Sequence, residues 1–155
     1  MSKSLKRVRA SLQGAGIDPD IRETALARTA QDAASALGCA VDQIAKSIIL
    51  RGERSGAVLL FITAGGNQVD LSRATALAGE PLGKADAALI RAQTGFAIGG
   101  VAPIGHLTRP RAWFDRRLLD FDVIWAAAGT PHHVFGLSPQ KIVEISGAEI
   151  VDFTT

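Results

Sequence analysis

The sequence predicts one mixed α/β (α+β) domain over residues 1–155, its mostly antiparallel sheet of roughly six to seven strands flanked by helices. Length is the first ground: 155 residues is the size of one ordinary hydrophobic core. The second is a set of valine- and isoleucine-rich runs set among sixteen glycines, the pattern of strands with tight turns rather than of a helical bundle. The third is the order of elements. Helical and strand patterns follow one another without the strict alternation of a doubly wound sheet, without an internal repeat, and without a linker rich enough to divide the chain.

Each element has a local cause. Leu5, Val8 and Leu12 recur at helical spacing among Lys3, Lys6, Arg7 and Arg9, which predicts an amphipathic helix over 3–14, ended by Gly14, Gly16 and Pro19. An extended piece follows over 21–25. Thr29 reads as an N-cap, with Asp32 three residues on, opening an alanine-rich helix that stops at Gly38. Residues 41–44 make a turn or one helical turn. Residues 46–50 and 57–63 are the clearest strands, joined by a hairpin loop over 51–56; both are apolar on consecutive positions, as in a sheet covered on both faces. Asp70 or Ser72 caps a helix to Ala78, and Asp86 starts another that Gly95 ends. Residues 96–98 read as a short strand running into a glycine-proline segment. Strands over 112–115, 123–127 and 133–137 precede a helix with Ser138 as N-cap, Pro139 at its first position and Gly147 past its end, and a last strand follows.

Composition removes several classes of function. Aromatic residues are 5% of the chain and tyrosine is absent, which disfavours an aromatic stacking platform for single-stranded nucleic acid. Seventeen Lys and Arg against fifteen Asp and Glu leave a net charge of +2, too mild to coat a long nucleic acid but enough for a small contact. The lone cysteine, Cys39, can form no internal disulfide and no cysteine-based zinc site. Residues 1–13 lack the apolar core of a secretory signal, and the longest uncharged stretch, 123–140, is broken by prolines, histidines and glycines. A soluble cytoplasmic protein, without membrane contact, is the expectation.

The segment Gly99-Gly100-Val101-Ala102-Pro103-Ile104-Gly105 carries the most chemistry. Its glycines let backbone approach a ligand with no side chain between, and successive N–H groups there converge on an anion or a developing oxyanion. The same residues also suit a plain strand-to-strand turn. Lys46 opens the apolar run 47–50, so it stands at the end of a buried strand, either gripping a phosphate or guarding the strand end from aggregation. His132 and His133 are adjacent and point to opposite faces of a strand, and His106 has no motif spacing to either; no metal site and no cofactor is expected. No Gly-x-Ser-x-Gly elbow and no Gly-x-x-x-x-Gly-Lys loop occurs. Arg109, Arg111, Arg116 and Arg117 stand around Trp113 and Phe114, as an RNA contact or as an ordinary solvated edge.

These pieces in this order resemble a known family. Thr29-Ala30-Gln31-Asp32-Ala33-Ala34, Leu37-Gly38, Gln43-Ile44-Ala45-Lys46-Ser47, Val69-Asp70, Thr94-Gly95-Phe96, residues 99–105, Ala127-Ala128-Gly129-Thr130-Pro131 and Leu137-Ser138-Pro139 are similar to the YbaK/ProX-type aminoacyl-tRNA deacylases. These are free-standing relatives of the editing domain inserted in bacterial prolyl-tRNA synthetases. The resemblance runs from about residue 20 to the end and implies a YbaK-like fold. It implies hydrolysis of an amino acid wrongly esterified to tRNA, most often tRNA(Pro), without metal or covalent nucleophile.

By the same resemblance, Lys46 matches the lysine that positions the terminal adenosine and its phosphate. Gly99, Gly100, Val101, Ala102 and Pro103 match the loop whose amides hold the aminoacyl carbonyl. Thr29, Ser47, Gly105, Gly129, Thr130, His132 and His133 are the expected substrate-binding positions. Val134 falls where cysteine-specific members carry an acid, which turns the expectation away from cysteinyl-tRNA. The partners implied are the acceptor end of misacylated tRNA and, transiently, prolyl-tRNA synthetase or an elongation factor, although no motif here marks the latter two. A catalytically silent module that binds a tRNA end or a synthetase, and a small-ligand domain without RNA, are the competing expectations.

Overall fold

A computed structural model describes residues 2–155. Helix α1 (Lys3–Gly14) begins where Ser2 Oγ accepts the Leu5 N–H at 3.0 Å, and it turns Leu5, Val8 and Leu12 into the core. Strand β1 (Asp20–Glu23) follows. Helix α2 (Ala30–Leu37) is capped as expected by Thr29, whose Oγ1 accepts the Asp32 N–H at 3.1 Å. A 3₁₀ turn, Val41–Gln43, leads into β2 (Ile44–Gly52), which folds back as β3 (Val58–Ala64). Asp70 caps α3 (Leu71–Ala78) and Asp86 caps α4 (Ala87–Thr94), with β4 (Leu82–Lys84) between them. Beyond an irregular stretch over 95–110 come β5 (Arg111–Phe114), a 3₁₀ segment Arg116–Asp120, β6 (Ile124–Thr130), β7 (His133–Leu137), α5 (Pro139–Ser146) and β8 (Glu149–Ile150).

All eight strands join one sheet in the order β1-β7-β6-β2-β3-β5-β8, with β4 also on β2. Four pairings are antiparallel (β1/β7, β2/β3, β2/β4, β6/β7) and three parallel (β2/β6, β3/β5, β5/β8), so the sheet is mixed with an antiparallel majority. The count exceeds the expected six or seven because β4 is three residues long and carries no alternation of its own. The strand expected over 96–98 is a turn instead, closed by the Gly100 N–H on the Ala97 carbonyl at 3.1 Å. Phe96 is fully buried there against the His106 ring and the Arg7 guanidinium, so its burial required no strand pairing.

Strand β2 shows how both faces are covered. Ala45 enters the main core, which also takes Leu5, Val8 and Leu12 of α1, Ile90 of α4 and Ile142 of α5. On the opposite face, Ile44 packs with Ala33 and Ala34 of α2 and with Trp125, while Ile48 and Leu50 pack with Phe61, Trp113, Phe153 and the α3 alanines Ala74 and Ala78. Lys46 lies between these two clusters on the same face. It therefore stands inside the strand, two residues from its start, in the gap that α2 and α3 leave open.

Candidate functional site

The cleft arises from strand pairing that stops short. β2 pairs with β6 only at Ile44↔Trp125 and Ala45↔Ala126, and with β4 only from Leu50 onward. Residues 46–49 therefore have no strand partner on that edge. β6 diverges from β2 past Ala126 and carries an irregularity between Ala127 and Thr130, leaving an open cleft of about 730 Å³. Its walls include Thr29 and Ala33 of the α2 end, Lys46 and Ser47 of β2, Gly99 and Val101 of the glycine loop, and Trp125, Thr130, His133 and Val134 of the β6–β7 hairpin.

Lys46 is half-buried, and its Nζ donates to the Gly65 carbonyl at 3.2 Å. The turn holding that carbonyl is tied in place by Asp42, whose Oδ1 accepts the Gly66 N–H at 2.8 Å and whose Oδ2 accepts Arg117 Nε at 2.9 Å. The Arg117 guanidinium, aided by that N–H, holds the Asp42 carboxyl below the usual carboxylate range. Ser47 Oγ is buried in the cleft wall with no hydrogen-bond partner among the described residues. A buried hydroxyl without a partner is costly unless a ligand or water supplies one.

The glycine loop enters from the opposite side. Gly99 sits at φ 91°, a conformation that side-chain-bearing residues avoid, and a Cβ on Gly100 would stand 2.8 Å from Thr130 Cα. The Gly100 N–H is used within the turn, whereas the amides of Gly99, Val101 and Ala102 donate to no atom among the described residues. Behind the loop, His106 Nε2 lies 2.6 Å from the Ala102 carbonyl, and Arg7 Nε donates to the Gly105 carbonyl at 2.7 Å. The base of the loop is thus clamped from the side away from the cleft.

The structure brings most of the expected positions together. Thr29, Lys46, Ser47, Gly99, Val101, Thr130 and His133 all line the cleft. Thr130 Oγ1 accepts the His132 N–H at 3.1 Å and lies 2.6 Å from His133 Nδ1, so the hydroxyl proton is free to bond the imidazole. Other positions stand apart. Gly100 is buried behind the loop, and Ala102, Pro103 and Gly105 form its anchored base, the last two facing a separate cavity of about 230 Å³. Gly129 (φ 96°) packs against the backbone of Ser4 in α1, and His132 is exposed outside the cleft wall.

The arginine cluster is largely committed to the fold. Arg109 caps α5 through the Ile145 and Ser146 carbonyls, Arg111 caps α3 through the Leu77 and Ala78 carbonyls and covers Trp113, and Arg117 pairs with Asp42 and Asp120. Trp125, Ala33, Gly65 and Gly66 were not expected at the site. Apart from Ala33, which lies in the family-like run 29–34, their only sequence mark is apolar or turn-like character, which every core residue and turn shares. No group of three or more potential metal ligands occurs among the described residues, and no helix there is long and apolar enough to cross a membrane.

Residues 24–145 match the family model described as the aminoacyl-tRNA editing domain. A structure solved as that of a proposed trans-editing enzyme for prolyl tRNA synthetase superposes with TM-score 0.92 at 40% identity, covering 100% of this chain and 99% of that one. The Bacillus subtilis (strain 168) protein YwhH, itself uncharacterised, is 29% identical over 95% of this chain and 94% of its own length. The Enterococcus faecalis protein EbsC, a proposed Cys-tRNA(Pro)/Cys-tRNA(Cys) deacylase, is 25% identical over 82% of this chain and 77% of its own.

Proposed function

The chain belongs to the aminoacyl-tRNA editing domain family, and from that membership we propose that it is a trans-acting deacylase hydrolysing the ester of misacylated tRNA, tRNA(Pro) carrying a small non-cognate amino acid. The observation that carries this reading is the convergence on one cleft of an ammonium, Lys46, with a hydroxyl, Ser47 Oγ, and the amides of Gly99 and Val101, which have no partner among the described residues.

An aminoacyl ester is already activated, so positioning and charge stabilisation suffice and no covalent nucleophile or metal is invoked. Lys46 holds the phosphate of the terminal nucleotide as a point charge. Water adds to the ester carbonyl, and the resulting oxyanion takes hydrogen bonds from the Gly99 and Val101 amides. The acyl C–O bond then breaks, the ribose oxygen leaves with the proton that the attacking water gave up, and free amino acid and tRNA separate. Ser47 and the Thr130–His133 pair supply hydrogen bonds that orient the ester, the water or the vicinal ribose hydroxyl.

The amino-acid end meets Ala30, Ala33, Trp125 and Val134, and no carboxylate is among the lining residues. With apolar walls and no carboxylate to accept a hydrogen bond from a thiol, the pocket favours alanine over cysteine. Missing methylenes are worth only about 1–3 kcal/mol each in such a pocket, so several small amino acids should be accepted.

The test is deacylation of tRNA(Pro) charged in turn with alanine, cysteine, serine, threonine and proline, with chelator present. Release of one or two non-cognate amino acids with prolyl-tRNA(Pro) spared is expected. Lys46→Ala should lower kcat/KM roughly ten- to a hundredfold, the effect of losing a charged hydrogen bond of about 1.5–3 kcal/mol, with the fold intact by circular dichroism. An unaffected Lys46→Ala enzyme would refute the site. Binding without release from any species would assign the chain to a silent tRNA-end module.

A further inference from the structure

Lys46 belongs to two cavities. Toward α3 it also lines a groove of about 280 Å³, together with Ile48, Leu50, Gln68, Val69 and Leu71. Ile48 is likewise shared with the large cleft, so the two adjoin at the Lys46 side chain. Their adjacency follows from the strand: Lys46, Ile48 and Leu50 alternate onto one sheet face, with Lys46 in the gap between the α2 and α3 clusters and Ile48 and Leu50 packed at the edge of the α3 cluster. At the groove rim Leu71, the first residue of α3, is 57% exposed and packs into none of the core clusters, so an apolar side chain is held at this opening with no role in the core.

We infer that this groove holds the nucleobase immediately preceding the aminoacylated adenosine, with the phosphate joining the two nucleotides seated on Lys46. The inference rests on the deacylase reading and extends it to a second nucleotide. One phosphate separates two nucleosides, and here one cation separates two cavities. The larger cavity carries the free amides and Ser47, so the aminoacyl nucleoside belongs there. The smaller one offers aliphatic walls, Ile48, Leu50, Val69 and Leu71, to the faces of a single base, and the Gln68 amide, both donor and acceptor, to its edge. Because tRNA ends in CCA, that base is a cytosine.

The experiment uses a fluorescein-labelled hairpin RNA with the tRNA(Pro) acceptor stem, ending in CCA and carrying alanine through a non-hydrolysable 3′-amide. A second probe replaces the penultimate cytidine with an abasic ribose, keeping every phosphate. Fluorescence anisotropy with the full chain should show the abasic probe binding roughly three- to tenfold more weakly, the factor expected from losing one small apolar contact. In the Leu71→Ser protein that difference should vanish. Equal affinity of the two probes for the wild type would overturn the base subsite while leaving the deacylase reading intact. A difference that persists in Leu71→Ser would place the base elsewhere and also overturn it. Binding of neither probe would remove the tRNA-end reading and the subsite together. Self-association of the free protein that Leu71→Ser abolishes would assign the groove to a second copy of the chain instead.

Discussion

His106 shows how a residue with no motif spacing to the other histidines acquires a role from its surroundings. Its Nε2 meets the Ala102 carbonyl, its ring stands edge-on to Phe96, and its Nδ1 is buried without a partner among the described residues. Protonation would bury an N–H with no acceptor, and burial, reinforced by the Arg7 charge, pushes the imidazole below its ordinary value of 6.5, against the opposing pull of the Ala102 carbonyl. The unfolded chain therefore takes up a proton on His106 at a pH where the folded chain does not. The stability tied to the neutral ring is complete above about pH 6.5 and declines as pH falls below it. His106→Ala should cost about 1–3 kcal/mol at pH 7.5 by leaving the Ala102 carbonyl unbonded, and the difference from wild type should shrink at pH 5. Urea unfolding at the two pH values measures it; a pH-independent difference would show that the imidazole contributes by packing alone.

At the scale of elements, α1 and the glycine loop form one unit although the Arg7 and Gly105 pair that joins them is 98 residues apart in the chain. Arg7 reaches from α1 to the Gly105 and Thr94 carbonyls and covers the Phe96 ring at 4.6 Å. The same helix lies against Gly129 of β6, so it braces both walls of the cleft where β6 leaves β2. Arg7→Met keeps most of the packing and removes both hydrogen bonds. It should raise hydrogen exchange at the Gly100 and Leu107 amides, which are bonded to the Ala97 and Thr94 carbonyls, by roughly tenfold, as the loss of about 1.5 kcal/mol of local protection requires, and lower kcat more than it raises KM. Unchanged exchange would mean that His106 alone holds the loop. The helix itself was legible from Leu5, Val8 and Leu12, because amphipathic spacing is local. The second function of Arg7 was not, because its partners lie at the far end of the sequence.

Over the whole molecule, few cations stand where the cleft would meet a nucleic acid. The net charge is +2, and Arg109, Arg111 and Arg117 are engaged with helix ends and carboxylates, which leaves Lys46 and Arg28 as the positive side chains lining the cleft. With each single-strand phosphate contact contributing a slope of about −0.7, a plot of log(1/KM) against log salt should have a slope between about −0.7 and −2. A slope steeper than about −4 would mean that an extended surface, including the exposed Arg116, follows the RNA backbone.

Much of this architecture follows from the amino-acid order alone. Thr29, Asp70, Asp86 and Ser138 cap helices as expected, and Gly38, Gly95 and Gly147 end them in left-handed conformation, because caps depend on neighbours within one turn. Lys46 and the glycine loop also stood out locally, by a charge entering an apolar strand and by backbone stripped of side chains. Tertiary structure decided the rest. That β2 and β6 part after two residue pairs, that Ser47 is left without a partner among the described residues, that Lys46 faces two cavities and that most of the arginine cluster is engaged with helix ends and carboxylates all depend on contacts between distant segments. Strand divergence and charge pairing are set by what packs against them, and no local pattern encodes that.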